Sequence, residues 1–204
     1  MIIKVCGMRE ETNVREVEQS GTDWMGFIFY PGSSRYVGET LPYIPESVKR
    51  VGVFVNEDHE RVLALAEKNR LDILQLHGDE SPGDCKRLQE KGFLVVKAFG
   101  IATDKPFPSV LIDRYEGCCD YFLFDTKTDI YGGSGKKFGW ELLADYGGEI
   151  PFLLSGGISP QDVETVKLFS HPGCVGIDLN SGFEIEPAVK DIKLLQEFIS
   201  AFRY

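Results

Sequence analysis

The chain has 204 residues, of which 43% are hydrophobic, so it is long enough to bury a sizeable core. Its formal net charge of −10 argues against the basic surface by which proteins bind nucleic acids or anionic membranes. We therefore expect residues 1–204 to form a single domain, with neither nucleic acid nor membrane as its partner.

Five cysteines are present, an odd number without CxxC spacing, which favours neither a disulfide framework nor a zinc ribbon. A reducing compartment fits this cysteine usage. The sequence has no apolar run of about 18 residues, and its start, MIIKVCGM, is too short for the core of a signal peptide. We expect a soluble, cytoplasmic protein, and both a monomer and a homodimer are compatible with these features.

Strand-like apolar runs recur along the whole chain, with 21 to 30 residues between successive ends. The eight runs end near Cys6, Tyr30, Asn56, His77, Phe99, Asp125, Ser155 and Asp178. Segments with helical character separate most of them. Eight such units predict an α/β fold, a single (βα)8 TIM barrel near the lower size limit of that fold.

Helix signals between these strands are uneven. Helices are predicted over residues 12–20, 58–68, 81–91, 140–146, 159–169 and 187–202. Pro42 and Pro45 reduce the second helix of the barrel to a vestigial turn, and Pro106 and Pro108 leave the fifth short at best.

Two groups that can transfer protons are predicted at the carboxyl ends of strands, where parallel α/β folds place their active sites. Cys6 ends the first strand, and Gly7 behind it lets a substrate approach the backbone. Asp125 ends the sixth strand, three strands away by the shorter route. A thiol and a carboxyl group that face each other across a small pocket are a plausible base and acid. A buried structural cysteine and a turn-capping aspartate are the alternatives.

Three glycine-rich loops predict a binding site for an anion, because glycines open backbone N–H groups to a ligand. The loop after the sixth strand contains Gly132, Gly133, Ser134, Gly135, Lys136 and Lys137. The loops after the seventh and eighth strands contain Gly156, Gly157, Asp178, Asn180, Ser181 and Gly182. A short helical turn near Asn180 would direct its N-terminus at a phosphate. Tight strand–helix turns are the alternative for each loop alone.

Two further polar residues follow strands. Arg35 is predicted in an exposed loop, where its guanidinium could bind a substrate carboxylate through two parallel hydrogen bonds, the alternative being a solvated surface arginine. For His77 we favour a structural hydrogen bond that holds its loop. The three histidines are scattered, without HxH or HExxH pairing, so no metal site is predicted.

Eight motifs together resemble those of the phosphoribosylanthranilate isomerase family. They are KVCGM (4–8), FYPGSSRYV (29–37), VGVFVN (51–56), LQLHGDE (74–80), LFDTK (123–127), GGSGKKFGW (132–140), LLSGGI (153–158) and GIDLNSGFE (176–184). Each motif is weak alone, but the set covers nearly the whole chain and is highly specific.

The resemblance implies a barrel of the ribulose-phosphate-binding type that needs neither metal nor cofactor. It implies an Amadori rearrangement of tryptophan biosynthesis, from N-(5-phosphoribosyl)anthranilate to 1-(2-carboxyphenylamino)-1-deoxyribulose 5-phosphate. By the family match, Cys6 is the general base, Asp125 the general acid and Arg35 the contact for the anthranilate carboxylate. The phosphate contacts are implied at Gly156, Gly157, Ser181 and their neighbours.

Three positions depart from the family pattern: Lys137, Gly139 and Asn180 stand where a small hydroxyl residue, an acidic helix cap and a serine are usual. These changes concern loop order and phosphate affinity. Two rival functions remain at this point. The related isomerase of histidine biosynthesis needs a second phosphate site, which the acidic loop after Asn56 disfavours. A non-catalytic phosphosugar-binding barrel would lack the acid or the base, and this sequence has both.

Overall fold

The computed structural model describes residues 1–102, 104–126 and 140–204, and at Thr126 only the backbone. Eight parallel strands pair in chain order and close into a barrel. They are β1 (Ile2–Val5), β2 (Trp24–Ile28), β3 (Lys49–Phe54), β4 (Ile73–Leu76), β5 (Leu94–Ile101), β6 (Tyr121–Thr126), β7 (Phe152–Leu154) and β8 (Cys174–Leu179). The barrel closes where β1 pairs with β8 as well as with β2. The predicted TIM barrel is confirmed.

Side chains alternate along each strand between the barrel interior and the surrounding helices. An apolar layer fills the barrel interior towards the amino ends of the strands, and it consists of Trp24, Val51, Ile73, Val96, Ala98, Leu123 and Leu153. A smaller apolar group, Cys6, Ile28 and Val53, lies at the carboxyl ends of the strands. The apolar layer fills one end of the barrel interior. Barrels of this kind carry their active sites at the other end, at the carboxyl ends of the strands, which form the mouth of the barrel.

Aromatic side chains fix the outer face of β6. The Phe124 ring lies 5.3 Å from Tyr146 and 5.0 Å from Phe152, measured between ring centroids. Such pairs contribute about 0.5–1.5 kcal/mol each beyond their burial. Because the next residue is Asp125, this packing anchors the strand end from which its carboxyl group extends.

Helices surround the barrel in the order α1 (Glu11–Glu18), α2 (His59–Lys68), α3 (Pro82–Glu90), α4 (Ser109–Ile112), α5 (Val163–Leu168) and α6 (Ile192–Arg203). Asp58 caps α2 through its side chain, and Ser81 forms a capping box with Asp84 at α3. No helix forms between β2 and β3, where every residue is described, and α4 has one turn. The reduced second and fifth helices are confirmed.

Two helices are shorter than predicted. The segment Trp140–Asp145 is a 3-10 helix, and the seventh unit begins with the 3-10 turn Pro160–Asp162 before α5. In that turn Ser159 and Asp162 form a capping box. The start signal was therefore correct, but the chain makes only six α-helical residues before Phe169 turns extended.

The last predicted helix is wrong at its start. Residues 187–190 belong to a hairpin of β9 (Glu184–Glu186) and β10 (Val189–Lys190), which pair antiparallel. Helix α6 begins only at Ile192, because the Asp191 side chain caps it by accepting from the Leu194 N–H. The hairpin follows the 3-10 turn Ser181–Phe183, which was expected near Asn180, and returns the chain towards the barrel mouth.

Candidate active site

The thiol of Cys6 lies at the mouth directly after β1 and is 4% exposed. Asp125 is the fifth residue of β6, and its side chain is 24% exposed. Strands β7 and β8 separate β6 from β1 in the barrel. The two predicted proton-transfer groups therefore belong to different sides of one mouth, one of them buried and the other reachable by solvent.

A buried ion pair lies beside Cys6. The Lys4 ammonium is completely buried and donates to Asp178 Oδ1 at 2.8 Å, and Ser155 Oγ lies 3.5 Å from the other oxygen of that carboxylate. Lys4 and Asp178 are directly paired residues of β1 and β8. Asp178 was predicted to contact substrate, and the partners that the structure gives it are Lys4 and Ser155.

The environment of Cys6 opposes ionisation overall. Burial raises the pKa of the Cys6 thiol above its usual range, the Lys4 ammonium lowers it, the Asp178 carboxylate raises it and Lys190 lowers it. Burial also opposes the charge on Lys4, yet Asp178 and Cys6 together hold the pKa of Lys4 above its usual value. The site thus keeps a permanent cation next to a thiol that is protonated at neutral pH.

His77 stands closer to the chemistry than its predicted structural role implied. Its Nε2 lies 3.7 Å from Asp125 Oδ2, and its Nδ1 lies 2.9 Å from Nε2 of the buried Gln75. Burial, with the charges of Lys97 and Lys4, lowers the pKa of His77 to about 4, so the ring is neutral at pH 7. The contact with Gln75 orients the neutral ring so that Nε2 faces Asp125.

Arg35 does not lie in an exposed position, which corrects the prediction from the sequence. It is 7% exposed, and its guanidinium donates from Nε to Glu184 Oε1 at 2.8 Å and from Nη2 to Oε2 at 2.6 Å. A buried guanidinium is stable only when it is paired, and the β9 strand supplies the partner. Glu184 lies 149 residues away in sequence and was not recognised as a site residue.

A second cation shares that carboxylate. The Lys190 ammonium, which is fully buried, donates to Glu184 Oε1 at 2.7 Å and to Asn180 Oδ1 at 2.8 Å. Asn180, one of the departures from the family pattern, therefore directs its side-chain oxygen at Lys190. Sequence reasoning missed Lys190 and Glu184, because only the folded hairpin brings them to the mouth.

Gly7 makes room for this cluster. It has φ of +78°, and a Cβ at this position would lie 2.6 Å from Arg35 Cδ and 2.8 Å from Asn180 Oδ1. A larger residue would have to displace the arginine or the asparagine. The predicted need for a glycine here is therefore explained by side chains of the protein itself.

The loops after β7 and β8 touch each other. Gly156 and Gly157 adopt φ of +91° and +68°, and the 3-10 turn that starts at Ser181 follows β8. A Cβ at Gly182 would collide with the carbonyl oxygen of Ile158. The structure therefore brings four of the residues predicted to bind phosphate into adjoining turns. Gly133 and Gly135 belong to the glycine-rich loop after β6, which lies outside the described residues.

Across residues 1–102, 104–126 and 140–204, no cluster of three or more His, Cys, Asp or Glu side chains could hold a metal ion. No helix within those ranges is both long and apolar enough to cross a membrane.

Comparison with known proteins identifies the family. The family model described as N-(5'-phosphoribosyl)anthranilate (PRA) isomerase matches residues 3–201. N-(5'-phosphoribosyl)anthranilate isomerases of Phocaeicola vulgatus and Parabacteroides distasonis are 51% and 53% identical to the chain, covering 100% and 98% of it and 98% and 92% of the relatives.

Solved structures agree with the sequence comparison. The phosphoribosyl anthranilate isomerase of Thermotoga maritima superposes with a TM-score of 0.83 at 34% identity, over 100% of this chain and 99% of that one. A phosphoribosyl anthranilate isomerase in complex with reduced 1-(o-carboxyphenylamino)-1-deoxyribulose 5-phosphate gives a TM-score of 0.80 at 30% identity, with 100% and 99% coverage. The chain belongs to the N-(5'-phosphoribosyl)anthranilate isomerase family and catalyses this isomerisation in tryptophan biosynthesis.

Proposed function

We propose that Cys6 is the general base and Asp125 the general acid of the isomerisation. The observation that supports this assignment is the arrangement of the mouth, with a thiol after β1 and a carboxyl group in β6, separated by two strands. The reaction moves hydrogen from C2 of the sugar to C1, so it needs one group that removes a proton and one that delivers a proton.

Each group has a defined task in this scheme. Asp125 protonates the ring oxygen, which opens the ribose and leaves a protonated imine at C1. Cys6, as a thiolate, removes the proton from C2, and the electron pair of that C–H bond neutralises the imine to give an enamine. Loss of the C2 hydroxyl proton and protonation of C1 then give the amino ketone, so that atoms and electrons balance.

The two ends of the substrate need separate contacts. Gly156, Gly157, Ser181 and Gly182 are proposed to bind the phosphate through backbone N–H groups, together with Gly133 and Gly135. Arg35 is proposed to bind the anthranilate carboxylate, with Gly7 and Asp178 next to the sugar. The relative solved with the reduced product analogue binds a ligand that has both a phosphate and a carboxylate.

Kinetics of single variants test the assignment of base and acid. We expect Cys6→Ala and Asp125→Asn each to lower kcat by about 10²–10⁴-fold while KM changes little, because each removes a proton-transfer step and no binding contact. Turnover is measured from the fluorescence decay of freshly prepared substrate. Arg35→Ala is the comparison variant and should mainly raise KM. Near wild-type kcat in either of the first two variants would refute the role of that residue.

Compartment and assembly complete the proposal: the enzyme acts in the cytoplasm as a monomer or homodimer, without a cofactor. All five cysteines are free thiols, as a reducing compartment favours. A dimeric phosphoribosylanthranilate isomerase is described for Thermotoga maritima, 32% identical to this chain.

A further inference from the structure

Glu184 is buried at the mouth with only 5% of its side chain exposed, and both of its carboxylate oxygens bind Arg35. This paired geometry fixes the plane of the guanidinium, which a single contact would leave free to rotate. Glu184 occupies the edge of the guanidinium that is formed by Nε and Nη2. Within the described part of the chain, Nη1 makes no hydrogen bond, so the opposite edge of the guanidinium is left for a ligand.

Further hydrogen bonds hold the pair of Arg35 and Glu184 in place. Lys190 donates to Glu184 Oε1, and the backbone of Lys190 is clamped by the buried Asn13 of α1, which accepts from its N–H at 2.7 Å and donates to its carbonyl at 3.0 Å. The Ala188 N–H also donates to Glu184 Oε1, at 3.2 Å. The carboxylate is thus fixed by several donors before any substrate binds.

Charge explains why two cations surround one carboxylate. Burial lowers the pKa of Lys190, and the Glu184 carboxylate opposes that shift. With Lys190 charged, the two cations outweigh the single negative charge of Glu184, which leaves the group with a net positive charge. Burial raises the pKa of Glu184, but Arg35 and Lys190 outweigh this effect and hold the pKa below its usual range, so the carboxylate stays ionised. Without Lys190, the Glu184 carboxylate would position Arg35 but would also neutralise the positive charge of its guanidinium.

The Arg35 side chain passes over Gly7, the residue after Cys6, as the short distance from Arg35 Cδ to a Cβ at Gly7 requires. We propose that Glu184 is a positioning residue that presents the guanidinium of Arg35 to the carboxylate of the substrate, with Lys190 keeping the group cationic. This inference rests on the proposed contact between Arg35 and the anthranilate carboxylate. Glu184 acts through Arg35 and does not touch the reacting atoms.

Two ligands separate positioning from general stability. The first is reduced 1-(2-carboxyphenylamino)-1-deoxyribulose 5-phosphate, and the second is the same molecule without its carboxylate. Calorimetric titration of the full-length wild type should show a preference of about 10- to 100-fold for the first, as expected of a hydrogen bond between charged groups. In Glu184→Gln we expect most of this preference to be lost, while the affinity for the second ligand stays within about twofold of wild type.

Two results would overturn the inference. Glu184→Gln could keep the wild-type preference, which would mean that Arg35 is positioned without it. It could instead lose affinity for both ligands equally, which is the mark of a purely structural residue. Glu184→Asp serves as the conservative variant, since it keeps the charge and withdraws the carboxylate by one methylene. It should retain part of the preference, and a full wild-type preference in this variant would equally count against positioning.

Arg35→Ala distinguishes failure of this inference from failure of the underlying function. Loss of the preference in Arg35→Ala but not in Glu184→Gln refutes only the positioning role. A preserved preference in Arg35→Ala refutes the carboxylate contact itself, and the role of Glu184 falls with it. In the double variant, we expect no further loss of preference beyond that of Arg35→Ala, because Glu184 acts through the arginine.

Discussion

As the proposed general base, the Cys6 thiol has to lose its proton in a buried position, and this determines how the reaction should depend on pH. Burial raises its pKa above the ordinary value of 9.0, and Lys4 and Lys190 reduce that shift without reversing it. A base acts in its deprotonated form, so the active fraction increases as pH rises towards and through this pKa.

Because the proposed acid Asp125 acts in its protonated form, the two titrations oppose each other in the wild type, and the test therefore uses Asp125→Asn, in which only the base titrates. Its residual kcat/KM should increase continuously from pH 7 to above pH 9. Initial rates over this range, at substrate concentrations well below KM, measure it. Cys6→Asp in the same Asp125→Asn background is the matched control, because a carboxyl group is already ionised at neutral pH and the alkaline rise should disappear. A profile of Asp125→Asn that is flat above pH 7 would contradict the assigned titration.

Residue types predicted that Cys6 and Asp125 lie at the ends of strands, and the structure places them there, because a strand followed by a polar residue is a local pattern. The environment of Arg35 could not be predicted in this way. Its partner Glu184 is distant in sequence, and a lone arginine in a loop gives no sign of burial. Lys4 was likewise missed, since a lysine inside a barrel departs from the branched apolar residues that normally fill it.

The turns after β7 and β8 work as one element. Because a Cβ at Gly182 would collide with the Ile158 carbonyl, Gly182→Ala must push these turns apart. Overpacking of this kind costs about 1–3 kcal/mol of folding free energy. Binding should suffer as well, since both turns are proposed to bind the same phosphate.

We expect Gly182→Ala to raise KM about tenfold or more with a smaller change in kcat. Steady-state kinetics and thermal unfolding of the same preparation measure both effects. Gly147→Ala is the matched control, because nothing lies within 4 Å of the Cβ it would add. Equal kinetics in the two variants would show that contact between the turns does not matter for binding.

Helix starts were the most predictable elements, since capping residues such as Asp58 and Ser81 precede their helices as the sequence indicated. The β9–β10 hairpin was not predicted. Its residues follow no alternating pattern long enough to indicate a strand, and Pro187 suggested a helix start instead. What stabilises the hairpin is tertiary, namely the pairing of Arg35 with Glu184 and the clamp of Lys190 by Asn13.

At the scale of the whole molecule, the order of eight strands was readable because their spacing is regular. The closed barrel leaves no unpaired edge at which one part could separate from the rest. We therefore predict that residues 1–204 unfold as one cooperative unit. Urea unfolding of two single-tryptophan variants checks this, with Trp24 reporting the barrel interior and Trp140 the segment after β6.

The two fluorescence transitions should coincide with each other and with the loss of helical circular dichroism. Phenylalanine replaces the missing tryptophan in each variant, and the midpoint of each is compared with that of its own dichroism curve to correct for the substitution. If fluorescence and circular dichroism gave different midpoints within one variant, the barrel would contain two folding units.

The pairing of β1 with β8 also has a consequence for synthesis on the ribosome. Cys6 and Lys4 are translated more than 170 residues before Asp178, and Glu184 and Lys190 follow Asp178. A nascent chain therefore contains Lys4 in β1 long before Asp178, the residue that neutralises it, has been translated. Closing the barrel, pairing this lysine and completing the active site are a single event, and it can occur only after β8 and the β9–β10 hairpin have been translated.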